Sequence, residues 1–366
     1  LSNSNYSEHF REAAQAVFDS LGPERQRRVE IIGRMNASYI GTPRDPLLDL
    51  MFDDLLENVA SALFGKAAKR RAIFIVGESG SGKTTAVERH IAKRPEFAPR
   101  IAADGQTVRP LVGFEAPKPL TLKGVARAGL GALHYPINTS RVTEQELFDL
   151  WKEQLRENRV LFLWIDEMQH VLRGNTTKEI QNVADVLKSL VQIDGWPLHL
   201  ILSGVPALAQ FVHQFADTDR QLKERSNLVE LRTMSYPADA AIVRKIVTKI
   251  VTGDASLTAK GLDPSDFIPR LMHACNGAFG STIQLIRAAC VYALRTGSAS
   301  VDLDHFAITY ALASGCRLEG NVFLSENWQN IVPDNSLGDL LANAALNRAE
   351  VAAKATSKAT GRKKAN

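Results

Sequence analysis

One stretch of the chain, Gly77-Glu78-Ser79-Gly80-Ser81-Gly82-Lys83-Thr84, has the spacing G-x-x-x-x-G-K-[ST]. Glycines at that spacing let the backbone curl until its N–H groups converge, which suits a phosphate chain. Lys83 adds a cation for the β- and γ-phosphates, and the Thr84 hydroxyl adds an oxygen ligand for magnesium. Thr85 follows directly and counts with the nucleotide-binding residues. A second run, Leu161-Phe162-Leu163-Trp164-Ile165-Asp166-Glu167, ends an apolar segment on two carboxylates. Asp166 reads as a magnesium ligand acting through water, and Glu167 as the base that orients and deprotonates an attacking water. An acidic pair after an apolar strand is a weak signal by itself. Downstream of the glycine-rich run it is strong, and the pair implies ATP with Mg²⁺.

Both motifs must stand at one edge of one sheet for this chemistry, because open α/β folds bind ligands beyond the carboxyl ends of their strands. The apolar runs Ile73 to Val76, Val160 to Ile165 and Leu198 to Leu202 are the pattern of parallel strands buried on both faces. Thr107 to Glu115 and Val229 to Arg232 are weaker strands, and Pro110 makes the former an edge. Ile180, Val183, Leu187, Leu190 and Val191 stripe one face of an intervening helix. Alternation of this kind predicts an α/β core with a parallel five-stranded sheet. Ahead of it lie a basic helix, Glu24 to Gly33, and a helix opened by Asp45 as N-cap and Pro46, and stopped by Gly65. Leu48, Met51, Leu55, Ala62 and Leu63 share one face of that second helix.

After Tyr236-Pro237 the strands stop, and Ala240 to Val251, Phe267 to Cys275, Thr282 to Leu294 and Asp304 to Ala313 read as helices, the last capped by Asp302 or Asp304. The expected division is an N-terminal extension over 1–45, the α/β domain over 46–235, a small all-helical domain over 236–318 and a C-terminal extension over 319–366. The end of that extension is alanine-rich and basic, which predicts disorder in isolation. Composition fits a globular chain, with 45% hydrophobic and 23% charged residues among 366. No apolar run approaches the roughly 20 residues that span a bilayer, and the start is polar, so the expectation is a cytoplasmic protein without a membrane partner. Cys275, Cys290 and Cys316 have no metal-ligand spacing and suit a reducing compartment; His273 beside Cys275 reads as helix packing. A net charge of +4 permits nucleic-acid binding without demonstrating it.

The order of these parts resembles the AAA+ ATPases. Within them the chain is similar to the TniB/TnsC group of transposition regulators, related to the MuB target-DNA activators. The residues carrying the resemblance are Tyr39-Ile-Gly-Thr-Pro-Arg44, Asp166-Glu-Met-Gln-His170, Leu202-Ser-Gly-Val-Pro206 and Asp219-Arg-Gln-Leu-Lys-Glu-Arg225. It implies that Ser203 is the sensor 1 residue, touching the γ-phosphate or the attacking water; a serine that merely ends a strand is the alternative. It implies that Arg225, or else Arg220, is an arginine finger completing a neighbour's site; a solvated charged helix is the alternative. Tyr39 and Ile40 become an adenine wall, or simple packing. Lys118, Thr121, Lys123 and Arg127 become contacts to the DNA backbone, or scattered surface residues, with the basic tail a competing DNA-binding segment. One position departs from the pattern: Gly277-Ala-Phe-Gly280 is followed by Ser281 where relatives carry the sensor 2 arginine, and Arg287 lies two turns further on. The implied function is an ATP-dependent regulator that forms a ring or helical filament of identical subunits on duplex DNA, with a transposase and a target-selection protein as partners. The alternatives are a helicase-loader or replication-initiator ATPase, and a nucleotide-switched scaffold with negligible hydrolysis.

Overall fold

The structure is a computed structural model that describes residues 3–118, 121–136, 142–168, 187–208 and 226–333. The chain divides into an α/β unit, Gly41–Thr233, and a helical unit made of Leu1–Ile40 with Met234–Asn366. The helical unit therefore takes in the N-terminal segment as well as the region after Tyr236-Pro237.

In chain order the strands of the α/β unit are β1 (Ala72–Gly77), a short antiparallel pair β2 (Arg100–Ile101) and β3 (Thr107–Val108), then β4 (Leu111–Glu115), β5 (Phe162–Asp166), β6 (His199–Gly204) and β7 (Ser226–Leu231). Five of them form one sheet in the order β4-β5-β6-β1-β7, every neighbouring pair parallel. The three continuous apolar runs take the middle positions, where both faces are covered. The expected strand over Thr107 to Glu115 is split at Arg109 and Pro110. Its first part pairs with β2 and its second part is the sheet edge, as proline there requires. Pro110 contributes only its carbonyl, which accepts from the backbone N–H groups of Leu161 and Phe162 at 2.9 Å.

The period of two sorts the strand residues between two cores. Ala72, Phe74, Val76, Leu163, Ile165, Leu200 and Leu202 face one side, with Trp151 fully buried among them. Ile73, Ile75, Phe162 and Ile201 face the other, packed with Leu48, Phe52, Leu55 and Val87.

Of the helices, α1 (Asn3–Asp19) and α2 (Pro23–Ala37) belong to the helical unit, whereas α3 (Asp45–Ser61), α4 (Lys83–Ala92), α5 (Leu122–Ala132) and α6 (Glu144–Glu157) belong to the α/β unit. Asp45 is the first residue of α3 rather than its cap, a position filled by Arg44. The buried stripe of α3 is Leu48, Phe52 and Leu55. Leu63 is 83% exposed because the α-helix ends at Ser61 and a tighter 3₁₀ turn carries Leu63 off the stripe. Leu187, Leu190 and Val191 are buried as the helical stripe predicts, while Ile180 and Val183 lie outside the described residues.

The helical unit continues with α7 (Ala240–Thr248), α8 (Pro264–Ala274), α9 (Phe279–Arg295) and α10 (Leu303–Ser314). A π-helical turn, Lys249–Asp254, extends α7. Asp302 caps α10, accepting from the backbone N–H of His305. Two features are absent from the sequence reading. One is a parallel pair of two-residue strands, β8 (Thr258–Ala259) and β9 (Ser300–Val301). The other is the burial of Asn321, Val322 and Phe323 beyond the expected end of the helical domain at 318. Phe323 packs against Phe267, Phe306 and Tyr310. So short an irregular segment has no period to reveal it. Cys275 and Cys290 are buried in this core, where burial pushes the Cys290 thiol up to about 12. His273 Nε2 lies 2.7 Å from the Ile331 carbonyl oxygen.

Candidate nucleotide-binding site

The glycine-rich run leaves the carboxyl end of β1 and enters α4. Gly82 caps α4 with φ of 87° and Gly80 has φ of 74°, left-handed conformations that side chains resist. At Gly77 the reason is space: an added Cβ would lie 2.7 Å from Ser81 Oγ and 2.8 Å from the Leu231 carbonyl oxygen. The loop thus presents the amino end of α4, whose first N–H groups and dipole suit an anion such as a phosphate. Lys83 is buried, and its Nζ donates to the carbonyls of Gly77 at 2.8 Å and Glu78 at 2.9 Å. Burial lowers the pKa of this ammonium from its ordinary value, against the pull of Glu167, Asp166 and Glu78.

Strand periodicity brings the acidic motif to the same place. Trp164 and Asp166 lie two apart on β5, and Ile201 and Ser203 two apart on β6, with Trp164 paired to Ile201. All four therefore lie on the sheet face that packs against α3. On this face three donors converge on Asp166. Thr84 Oγ1 donates to Oδ2 at 2.7 Å, Ser203 Oγ donates to Oδ1 at 2.5 Å, and the Glu167 backbone N–H donates to Oδ1 at 2.8 Å. Glu167 has φ of 56°, a left-handed backbone costing a non-glycine residue about 1–2 kcal/mol. The chain thus turns sharply just after Asp166, which sets the second carboxylate on a different heading. The Thr84 hydroxyl and Asp166 carboxylate are hard oxygen donors side by side at the mouth of the phosphate loop, the donor set that Mg²⁺ takes. The residues fit the ion and a nucleoside triphosphate together.

Ser203 is fully buried and engaged with Asp166 and with Trp164, whose Nε1 donates to its Oγ at 3.0 Å. The structure brings Ser203 into the cluster as a partner of Asp166. A tryptophan in an apolar strand reads as core; the place of Trp164 two residues before Asp166 is the signal in the sequence that points to the site. Arg220 and Arg225 lie outside the described residues. Ile40 is buried in the core of the helical unit, the packing role left open for it. Arg287 Nη2 donates to the Ser38 carbonyl at 2.6 Å, also within that unit. Among the expected DNA contacts, Lys118 and Arg127 are exposed. Thr121 caps α5, accepting from the Gly124 N–H at 3.0 Å, and Lys123 Nζ donates to the Val142 carbonyl at 2.9 Å.

Comparison with known proteins agrees with this geometry. Residues 51–236, just over half of the chain, match the family described as Bacterial TniB protein. No curated protein matches the chain. Among solved structures, Cdc6p from Pyrobaculum aerophilum is similar over 79% of this chain and 75% of its own, with TM-score 0.52 and 13% identity. The Aeropyrum pernix ORC1 protein, solved in complex with DNA, is similar over 78% of this chain and 69% of its own, with TM-score 0.53 and 18% identity. The Aeropyrum pernix ORC2 protein, in ADPNP and ADP complexes, gives TM-score 0.52 and 16% identity over 77% and 72%. At these identities the likeness shows the fold, which is that of the AAA+ ATPases.

Proposed function

The chain belongs to the bacterial TniB family, and from that premise we propose that it is an ATP-dependent AAA+ regulator of DNA transposition. In this reading it assembles on duplex DNA as a ring or helical filament and recruits or activates a transposase, guided by a target-selection protein. The observation that carries the reading is the meeting of Thr84 and Asp166 at the mouth of the phosphate loop, with Glu167 next in the chain. Lys83 exchanges the Gly77 and Glu78 carbonyls for phosphate oxygens. Thr84 and Asp166 hold Mg²⁺, whose charge offsets that of the phosphates. Glu167 takes the proton of the attacking water, and hydrolysis ends the assembled state.

Arg225 supplies charge to the neighbouring subunit's site as the phosphoryl group departs. Slow turnover is part of the proposal, because Ser281 stands at the sensor 2 position and Arg287 is engaged by Ser38. Lys118 and Arg127, exposed near the sheet edge, contact the DNA backbone with Thr121 and Lys123 beside them. That a protein of the same fold, ORC1, was solved with DNA supports this part of the reading.

Electron microscopy with duplex DNA and a non-hydrolysable ATP analogue tests it. Regular filaments or rings on the DNA are expected for the parent protein and none for Lys83→Ala. DNA affinity should also fall with salt, each neutralised phosphate contributing about −0.9 to the log–log slope. Assemblies that form equally well without nucleotide, or no assemblies at all, overturn the proposal.

A further inference from the structure

Trp164 joins two features of the α/β unit that otherwise look unrelated. Its backbone pairs with Gly113 on β4 and with Ile201 on β6. A Cβ at Gly113 would lie 2.9 Å from Trp164 Cε3 and 3.6 Å from Cδ2, so the glycine leaves open the space the six-membered ring needs. At its other end the indole Nε1 reaches Ser203 Oγ at 3.0 Å. The ring thus lies across the sheet from the edge strand to β6, half-buried beside Ile201 and Phe162.

A serine hydroxyl has one proton to give and two lone pairs to receive with, and an indole N–H can only donate. With one lone pair of Ser203 taken by the indole, its single proton is aimed at Asp166 Oδ1, 2.5 Å away. While that bond is made, the hydroxyl has no proton left for a phosphate oxygen.

We propose that Trp164 is a positioning residue of the nucleotide site: its indole N–H fixes the Ser203 hydroxyl so that it orients Asp166 as a magnesium ligand rather than touching the γ-phosphate. The proposal rests on the reading of Asp166 as the ligand of Mg²⁺ with ATP, and goes beyond it by assigning roles to Trp164 and Gly113. Trp164→Phe keeps most of the ring and removes the N–H. Gly113→Ala keeps donor and acceptor but displaces the ring. Losing one neutral hydrogen bond is worth about 0.5–1.5 kcal/mol, or roughly twofold to tenfold in an equilibrium or rate constant.

The contact is tested first in nucleotide-free protein labelled with ¹⁵N-tryptophan, which carries four indole signals. Trp164→Phe identifies the signal of Trp164, and Ser203→Ala should shift that signal upfield in the proton dimension. ATP binding is then titrated with and without Mg²⁺. Both Trp164→Phe and Gly113→Ala should raise the Mg²⁺ concentration needed for half-maximal effect by roughly twofold to tenfold, leaving Mg²⁺-free affinity at the parental value. A purely structural role lowers the melting temperature without moving the Mg²⁺ dependence. An unmoved indole signal in Ser203→Ala, or parental Mg²⁺ dependence in both variants, overturns the proposal. Failure of the parent protein to bind ATP or to respond to Mg²⁺ at all sinks the underlying reading instead, and the indole signal still decides the contact.

Discussion

Polar side chains are handled differently in the core of the helical unit and at the acidic cluster of the α/β unit. In the helical unit Thr282 donates to the Ala278 carbonyl, Thr309 to the His305 carbonyl, and Asn321 donates to Ala307 and accepts from the Phe323 N–H. Each of these settles a backbone group of its own or an adjoining segment, and the result is a tied-down chain. At the acidic cluster of the α/β unit, buried Ser203 and exposed Thr84 come from two different elements and both donate to the buried carboxylate of Asp166 on a third. Burying a polar group costs free energy unless it is paired. Pairing through backbone needs no particular chemistry, whereas three side chains meeting at the ends of a helix and two strands form an arrangement that a ligand can enter and reorganise. Chemistry is therefore expected from one unit and packing from the other.

The sharpest way to break that contrast is Glu167→Gln. Loss of a general base typically lowers turnover about 10²–10⁴-fold, and ATP binding should survive, as measured by steady-state hydrolysis beside equilibrium binding. Parental turnover would falsify the assignment of the base. Next in size, Lys83→Ala removes the buried cation, and with charged hydrogen bonds worth about 1.5–3 kcal/mol each, ATP affinity should fall by at least about tenfold in a titration. Affinity unchanged would move the phosphates away from this loop.

Asn321→Leu asks the opposite of the helical unit. It removes the bond to the Ala307 carbonyl and leaves the buried Phe323 N–H without its partner, which costs about 1–3 kcal/mol in chemical denaturation, while Mg²⁺·ATP affinity of the folded protein stays at the parental value. An affinity loss larger than the stability loss would mean that this segment belongs to the site.

The smallest effect concerns His199, at the start of β6 and 2% exposed. Burial, and secondarily Arg71, pushes its pKa from 6.5 down to about 3. Below about pH 6.5 the unfolded chain takes up a proton that the folded one refuses, so stability falls as pH falls through that window. The loss from this group amounts to about 1 kcal/mol for the first pH unit. His199→Leu should flatten the profile of denaturation midpoint against pH between about 6.5 and 5.5; an equally steep profile would assign the acid sensitivity elsewhere.

Some of this was written in residue order and some was not. The phosphate loop, the acidic pair and the three central strands depend on local patterns: a fixed spacing of glycines and lysine, and apolar runs that suit only strands covered on both faces. The glycine that starts the loop is required by contacts with Ser81 and Leu231, and only the first of these is local. Pro110 already marked β4 as an edge, but tertiary structure alone decided that β7 is the other edge, that the segment 321–323 fills the helical core, and that Ser203 bonds to Asp166 and to Trp164. Strand order, a three-residue plug and a side-chain hydrogen bond between strands all depend on residues far apart in the chain. The sequence by itself determined which residues could do chemistry, because that depends on residue type and near spacing. Which of them meet was decided by the sheet, whose parallel register brings Thr84, Asp166 and Ser203, from distant points of the chain, to one edge.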